Sequence, residues 1–225
     1  MLRMSDRRAL ALAALVLASA FCYATLIARW AYSNPGAYDF LAWNLFLAWI
    51  PLVAAVLVYD LQQRGASGRR LLPVAAVWLL FLPNAPYMLT DLIHLGSRND
   101  APLWFDVVLF TAFAWTGALL GFLSLYLMQV VVRRIAGGPM SWLFVGASLL
   151  ATGFGIYLGR SLRWNSWDFV TRPDALLADV WARVSDPLAY PRSFGMTVAL
   201  TALLSVIYLV LYAFAQLPAA ERASR

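Results

Sequence analysis

Long apolar runs separated by short polar segments dominate the pattern of the chain. A helix rises about 1.5 Å per residue, so about 20 apolar residues cross the hydrocarbon of a bilayer. Six runs reach that length, and segments carrying Arg, Asp, Pro or Gly separate them. The predicted spans are residues 9–28, 40–59, 71–90, 103–128, 141–160 and 194–217. The pattern therefore predicts an all-α, six-transmembrane-helix bundle that forms a single transmembrane domain over residues 1–225.

The composition supports the lipid bilayer as the surroundings of this bundle. Hydrophobic residues make up 63% of the chain and charged residues 12%, whereas soluble domains hold about 45–50% and about 25%. The first apolar run also resembles a signal peptide, because Ala18-Ser19-Ala20 offers a small-residue cleavage site. The run continues to Ile27 and is long enough to span, so we expect it to be retained, with cleavage as the alternative.

The distribution of arginine predicts how the spans are oriented. The net charge is +6, and all 17 basic residues are Arg. One set of alternate segments holds ten arginines and three acids, a net charge of +7, and the other holds seven arginines and eight aspartates, a net charge of −1. Because positive loops stay in the cytoplasm, both termini are predicted to be cytoplasmic. The arginines are spread over short loops and tails, so they do not indicate a nucleic-acid partner.

The third span is predicted to break in its outer half. Pro83 and Pro86 each remove a backbone donor, and the freed carbonyls must face other helices or a wet cavity. Asn84 is able to cap the helix that resumes. Tyr87, Asp91 and His94 then follow at spacings of four and three, which place them on one helical face.

Asp91 and His94 are the candidate catalytic residues. His94 is the only histidine, and Asp91 can fix its tautomer and raise its basicity, as general-base pairs require. The alternative is an interfacial pair that ends a helix in headgroup water. One histidine and the single cysteine Cys22, interpreted as a packing residue, do not favour a metal site, and no cofactor is predicted. The alternative is a metal-dependent enzyme in which His94 binds the ion together with Asp91, Asp106 or Asp168.

Further polar residues are predicted at the same depth as Asp91. Arg160, Arg163 and Trp164 follow the spacing of one helical face at the exit of the fifth span. The predicted ligand-binding residues are Asn84, Tyr87, Asp106, Arg160, Arg163, Asn165 and Asp168, and the loop residues Arg98, Asn99 and Asp100 lie nearby. We expect Arg160 or Arg163 to pair with Asp91 or Asp106 across helices. The alternative is an Asp106 stabilised by its helix dipole and an interfacial Arg and Trp belt.

Two other patterns concern helix packing and the membrane surface. Thr171 is predicted to cap a helix, with Pro173 in its first turn and an apolar stripe facing the outer membrane surface. The alternative is a plain connecting helix. The G-x-x-x-G spacings from Gly117 and Gly155 permit close helix contact. The sequence contains no nucleotide-binding motif that would make the chain an ATPase.

Three stretches resemble one known family. They are Asn84-Ala85-Pro86-Tyr87 continuing to Thr90-Asp91-Leu92 and His94-Leu95, the entry Trp104-Phe105-Asp106, and Gly159-Arg160 through Arg163-Trp164-Asn165-Ser166-Trp167-Asp168. They resemble the bacterial membrane-protein family catalogued as domain of unknown function 1361. The resemblance implies a polytopic bacterial membrane protein of about this size. We expect it in the bacterial cytoplasmic (inner) membrane. The resemblance carries no established activity.

Three functions are compatible with the predicted polar cluster. The first is an outward-facing site that binds or transports a small anionic or polar ligand, with Arg160 and Arg163 holding negative charge. The second is an enzyme acting on a lipid headgroup or lipid-linked substrate, with His94 as general base. The third is a structural or accessory subunit in which the same residues only tie helix ends together. The oligomeric state is left open.

Overall fold

The structure is a computed structural model that describes residues 4–32, 36–96 and 101–223. Over these ranges the chain is helical or in turns and has no strand, which confirms the all-α prediction. The first elements are α1 (Met4–Trp30), α2 (Asp39–Gln63), α3 (Gly68–Phe81), α4 (Asn84–Tyr87) and a 3₁₀ segment (Met88–His94). They are followed by α5 (Leu103–Ala136), α6 (Gly138–Leu162), α7 (Asp168–Thr171), α8 (Pro173–Ser185) and α9 (Pro191–Ala223).

Within the described ranges, six helical stretches are long and apolar enough to cross a membrane, which confirms the predicted number. They are Arg8–Trp30, Asp39–Gln63, Gly68–His94, Leu103–Ala136, Gly138–Leu162 and Pro191–Gln216. Large apolar side chains such as Leu17, Leu72 and Leu143 are exposed along them. An exterior of this kind is stable in hydrocarbon and not in water. The protein is therefore an integral, multi-pass membrane protein.

The chain folds as two compact units, Met1–Ser124 and Leu125–Arg225 (units 1 and 2), with their boundary inside α5. In unit 1, α2 packs against α1, α3 and α4. The indole of Trp78 donates a hydrogen bond to Ser124 Oγ at 3.2 Å, which joins α3 to α5 inside the apolar core. In unit 2, α6 packs along α9. The single transmembrane domain over residues 1–225 stays a prediction.

The third span breaks where the sequence predicts it, and the break faces α5. The α-helix ends at Phe81, and only the short α4 and the 3₁₀ segment continue it. A Cβ at Gly117 of α5 would clash with Met88 Cε and the Ala85 carbonyl oxygen, and one at Gly121 would lie 3.0 Å from Ala85 Cβ. The first G-x-x-x-G spacing therefore brings the backbone of α5 against the interrupted span.

Candidate functional site

Asp106 forms a buried ion pair with Arg29. Arg29 lies in the last turn of α1 and Asp106 in the first turn of α5. Arg29 Nε donates to Asp106 Oδ1 at 2.6 Å, and the two side chains are 0% and 1% exposed. A cation at a helix C-terminus and an anion at an N-terminus are each favoured by the helix dipole. The pair thus joins two helix ends that the sequence analysis did not connect.

Tyr38, just before α2, completes the surroundings of this pair. Its hydroxyl donates to Asp106 Oδ2 at 3.4 Å, and its ring lies 5.4 Å from the Arg29 guanidinium. Tyr38 adopts φ 64° in the left-handed region, which is rare for a bulky residue. Such strain persists only where the surroundings hold it, and here the ring also packs edge-on against Phe110. Both oxygens of Asp106 therefore have protein partners.

Asp91 is a buried carboxylate within the interrupted span. It lies in the middle of the 3₁₀ segment and is 1% exposed. Asn44, more than a turn into α2, donates from Nδ2 to Asp91 Oδ2 at 3.0 Å. A carboxylate at membrane depth is costly unless it is hydrogen-bonded, and a 3₁₀ stretch within a helix often marks a functional position. This combination makes Asp91 a candidate site residue of unit 1.

His94 ends the same 3₁₀ segment and is partly exposed. Residues three apart are aligned in a 3₁₀-helix, so Asp91 and His94 share a face. The imidazole packs edge-on against Phe40 of α2, with the ring centres 5.3 Å apart. A buried acceptor and a partly open imidazole therefore lie beside the first turns of one helix, α2.

Asn84 and Tyr87 lie in α4, where the third span is interrupted. The prediction that Asn84 caps the resumed helix is wrong, because Pro83 occupies the cap position and no side chain caps α4. The Asn84 amide donates instead to the Phe81 carbonyl at 3.1 Å, which satisfies one acceptor left by the end of α3. The Tyr87 carbonyl accepts a hydrogen bond from Thr90 Oγ1 at 2.7 Å.

Asn165 and Asp168 are brought together in unit 2 by a tight turn. The Asn165 backbone N–H donates to Asp168 Oδ2 at 2.8 Å, and Arg172 Nη2 and Thr171 Oγ1 donate to Oδ1 at 3.0 and 3.2 Å. The Asn165 hydrogen bond, helped by Arg172 and Thr171, outweighs burial and holds the pKa of Asp168 below its ordinary value. Asp168 therefore organises the segment after α6.

Arg160 and Arg163 do not lie on one helical face, and this prediction is wrong. Arg160 is in the last turn of α6, which ends at Leu162. Arg163 follows in the left-handed conformation with φ 60°, and the Trp164 backbone N–H donates to the Leu158 carbonyl at 3.2 Å. This is the pattern of a helix end whose chain turns away, which the spacing of the residues does not reveal.

The predicted helix after Asp168 is present as α8, and two of its polar residues contact α6 and the segment that follows it. Trp164 Nε1 donates to Asp179 Oδ2 at 2.8 Å, and Arg183 binds Asp179 Oδ1 at 2.9 Å and the Tyr157 hydroxyl at 3.3 Å. Trp181, by contrast, is 71% exposed. Leu176 of the predicted apolar stripe is buried instead, so the stripe is only partly exposed, and the location of α8 on the outer membrane surface stays a prediction.

Thr171 does not cap α8, and this prediction is also wrong. It is the last residue of α7, and Arg172 occupies the cap position of α8 without a side-chain hydrogen bond. Pro173 is the first residue of α8, as predicted. The short helix formed around Asp168 displaces the expected cap by one residue.

Within unit 1, the start of α2 thus gathers Asp91, His94 and Asp106. Within unit 2, Asn165 and Asp168 meet. The pairing of Arg160 or Arg163 with Asp91 or Asp106 stays a prediction, and Arg98, Asn99 and Asp100 lie outside the described residues. In the described part of the chain, no group of three or more His, Cys, Asp or Glu side chains is placed to hold a metal ion.

Three residues of this arrangement were missed by sequence reasoning. Arg29 and Tyr38 surround Asp106, and Asn44 binds Asp91. Asn44 offered a signal, because an amide inside an otherwise apolar span needs a hydrogen-bond partner. Arg29 could also have been found. It ends a span on the side whose segments have a net charge of −1, and an arginine at such a position needs a carboxylate partner.

The fold and the buried polar pairs define an all-helical, multi-pass integral membrane protein. The family model described as "Protein of unknown function (DUF1361)" matches residues 43–209, and the chain belongs to this family. The match includes Asn44, the interrupted span and the segment around Asp168. No curated protein and no solved structure matches the chain.

Proposed function

We propose that the protein resides in the bacterial cytoplasmic membrane with both termini in the cytoplasm, so that Asp91 and Asp106 lie towards the outside. The arginine excess in one set of alternate segments supports this orientation. Its test uses Ser67→Cys, in the turn between α2 and α3, and Ser185→Cys, at the end of α8, both at exposed positions. The native Cys22 is buried and stays unlabelled. A membrane-impermeant maleimide applied to whole cells labels only the second variant; the reverse result contradicts the orientation.

We propose that Asp91 and His94, with Asn44, form an outward-facing site that binds a small polar ligand for transport. The observation that carries this proposal is the burial of Asp91 inside an interrupted span, next to the partly exposed His94. Ionisable groups at membrane depth usually serve ligand or ion pathways, and interrupted spans supply their binding sites. The part assigned to Arg160 and Arg163 in holding negative charge stays a prediction from the sequence.

The Arg29 and Asp106 pair favours a structural role for those two residues. Both side chains are shielded, and Tyr38 covers the second carboxylate oxygen. A closed pair of this kind joins helices and offers little to a ligand. If Asp91 and His94 were equally dispensable for activity, the whole cluster would fit the third hypothesis, a structural or accessory subunit.

The enzymatic alternative uses the same two residues. His94 lies one 3₁₀ turn from Asp91 and is partly open, so a lipid headgroup could reach it as a general base. This alternative and the binding proposal predict different changes in cells that lack the protein. A transport-related site changes how a molecule is distributed across the membrane, whereas an enzyme changes which covalent species exist.

The experiment compares lipids and metabolites by mass spectrometry in cells, membranes and medium, with and without the gene. The proposal expects the same molecules in both strains, with one polar compound redistributed between cells and medium. A lipid that changes covalently would favour the enzyme instead. Unchanged profiles together with a destabilised partner complex would favour the structural role.

A further inference from the structure

A small cleft lies between α5 and α9 within unit 2. It holds about 30 Å³ and is open on one side. Its lining residues are Tyr126, Gln129, Val130, Arg133, Tyr212 and Gln216. This volume admits one or two oxygen-sized groups, because a water molecule needs about 10–15 Å³. The cleft therefore suits the tip of a polar group rather than a whole metabolite.

Gln129 is a buried donor in the wall of this cleft. Its side chain is 3% exposed, and its Oε1 accepts a hydrogen bond from the Tyr208 hydroxyl at 2.6 Å. That bond fixes the orientation of the amide, because the Gln129 Oε1 atom is held by the Tyr208 hydroxyl. The NH₂ group remains as a donor for a ligand in the cleft.

Arg133 adds a positive charge to the same wall. It lies in the last turn of α5 and its side chain is exposed. Among the residues whose side chains the structure describes, no carboxylate lines the cleft and none forms a salt bridge with Arg133. A guanidinium and a fixed amide donor together select an oxyanion, and phosphate oxygens are the usual ligands of arginine.

The surroundings of the cleft indicate that the anion belongs to a lipid. Leu209, one helical turn before the cleft residue Tyr212 on α9, is 51% exposed and apolar. Tyr212 packs edge-on against Trp142, with ring centres 4.9 Å apart, and Trp and Tyr favour the level of phospholipid headgroups. Basic clefts between spans at this level are suited to anionic headgroups. We propose that this cleft binds the phosphodiester of an anionic phospholipid, with acyl chains along α9.

The test is native mass spectrometry of the full-length protein, delipidated in detergent and titrated with phosphatidylglycerol or phosphatidylcholine. We expect saturable binding of one phosphatidylglycerol and weaker binding of phosphatidylcholine. Arg133→Gln weakens the phosphatidylglycerol site about fivefold, and the neighbouring Arg134→Gln, which does not line the cleft, leaves it unchanged. Because Arg133 is exposed, its variant keeps the wild-type melting temperature.

Four results would overturn the lipid site. They are equal binding of both lipids, equal losses in the Arg133→Gln and Arg134→Gln variants, no loss in either, or full displacement of the lipid by millimolar inorganic phosphate. The last result would identify a soluble phosphate site. A second variant, Tyr208→Phe, removes the hydrogen bond that orients the Gln129 amide and keeps Arg133. It is also expected to weaken the binding of phosphatidylglycerol.

Discussion

Arg29 and Asp106 form an ion pair of 2.6 Å that joins the end of α1 to the start of α5 with both side chains shielded. Removal of one member of a buried pair leaves an uncompensated charge, whereas removal of both is often nearly neutral. We expect Arg29→Met to lower the free energy of unfolding by about 3–5 kcal/mol. The double variant Arg29→Met/Asp106→Leu should recover most of this loss. Denaturation in detergent micelles measures both.

A matched control for the buried pair exists at the other end of α1. Arg8 binds Asp60 at 2.6 Å as well, but these side chains are 31% and 41% exposed. Arg8→Met should therefore cost less than about 1 kcal/mol. Equal losses for Arg8→Met and Arg29→Met, or a double variant as unstable as the sum of its single changes, would show that burial does not govern the pair.

Gly117 is expected to be intolerant of any side chain. A Cβ there meets Met88 Cε and the Ala85 carbonyl oxygen, and the carbonyl cannot move without shifting the interrupted span. Gly117→Ala should destabilise the protein by about 1–3 kcal/mol. Gly146→Ala in α6 is the control, because nothing lies within 4 Å of its added Cβ. Its helix propensity should raise stability slightly. A wild-type melting temperature for Gly117→Ala would contradict the close contact.

Asp168 should make the turn after α6 sensitive to acid. Its pKa is lowered in the folded protein, mainly by the Asn165 backbone hydrogen bond, so its contribution is fully present above the unfolded-state pKa. That contribution is lost as the pH falls below about 4 towards the folded-state pKa. Amide hydrogen exchange over residues 164–172, corrected for intrinsic rates, should rise over that range. Asp168→Asn should show the fast exchange at neutral pH, whereas Asp174→Asn should not.

Arg163 offers a way to separate stability from function. It occupies the left-handed position that glycine fills without strain, and its side chain is exposed. Arg163→Gly should therefore keep or raise stability, by up to about 1 kcal/mol. If this variant melts at or above the wild-type temperature but does not restore the distribution of the transported compound, the loss of function is due to the missing guanidinium. A drop in melting temperature would instead reveal a structural contact of this side chain.

The spans and the break in the third span could be predicted because both depend on local sequence. Apolar runs fix helix length in a bilayer, and Pro83 and Pro86 remove donors wherever the helix packs. The partners of Asp106 and Asp91 could not be predicted in this way. Depth along a helix follows from counting residues, but lateral placement depends on which helices pack together. Arg29 and Asn44 are distant in sequence from the carboxylates they bind.

The helix ends were the least predictable features. Spacing alone favoured a continuous face from Arg160 to Trp164, yet α6 ends at Leu162 and Arg163 turns the chain. The left-handed conformation of Tyr38 could not be predicted either, because no residue type in the sequence indicates a strained tyrosine before a helix. Tertiary contacts or the reversal of the chain stabilise both conformations. The spacing of residues along the sequence does not reveal either of these.

The proposed ligand site makes different demands on Asp91 and His94 from those of a packing role. Asp91→Asn keeps the shape of the side chain and can still bind Asn44 through its own carbonyl, so the fold should survive. His94 is partly exposed, and His94→Ala should likewise leave insertion and melting temperature unchanged. A ligand that contacts both groups should lose the carboxylate contact in Asp91→Asn and the imidazole contact in His94→Ala.

The most direct measurement is restoration of the compound redistributed in the gene-deleted strain by plasmid-borne variants produced at equal membrane levels. Wild type and the exposed control Asp174→Asn should restore its distribution fully. Asp91→Asn and His94→Ala should each reduce transport by about tenfold or more while remaining inserted and folded, since a lost charged hydrogen bond has that effect. Full restoration by both variants would contradict a ligand site at Asp91 and His94.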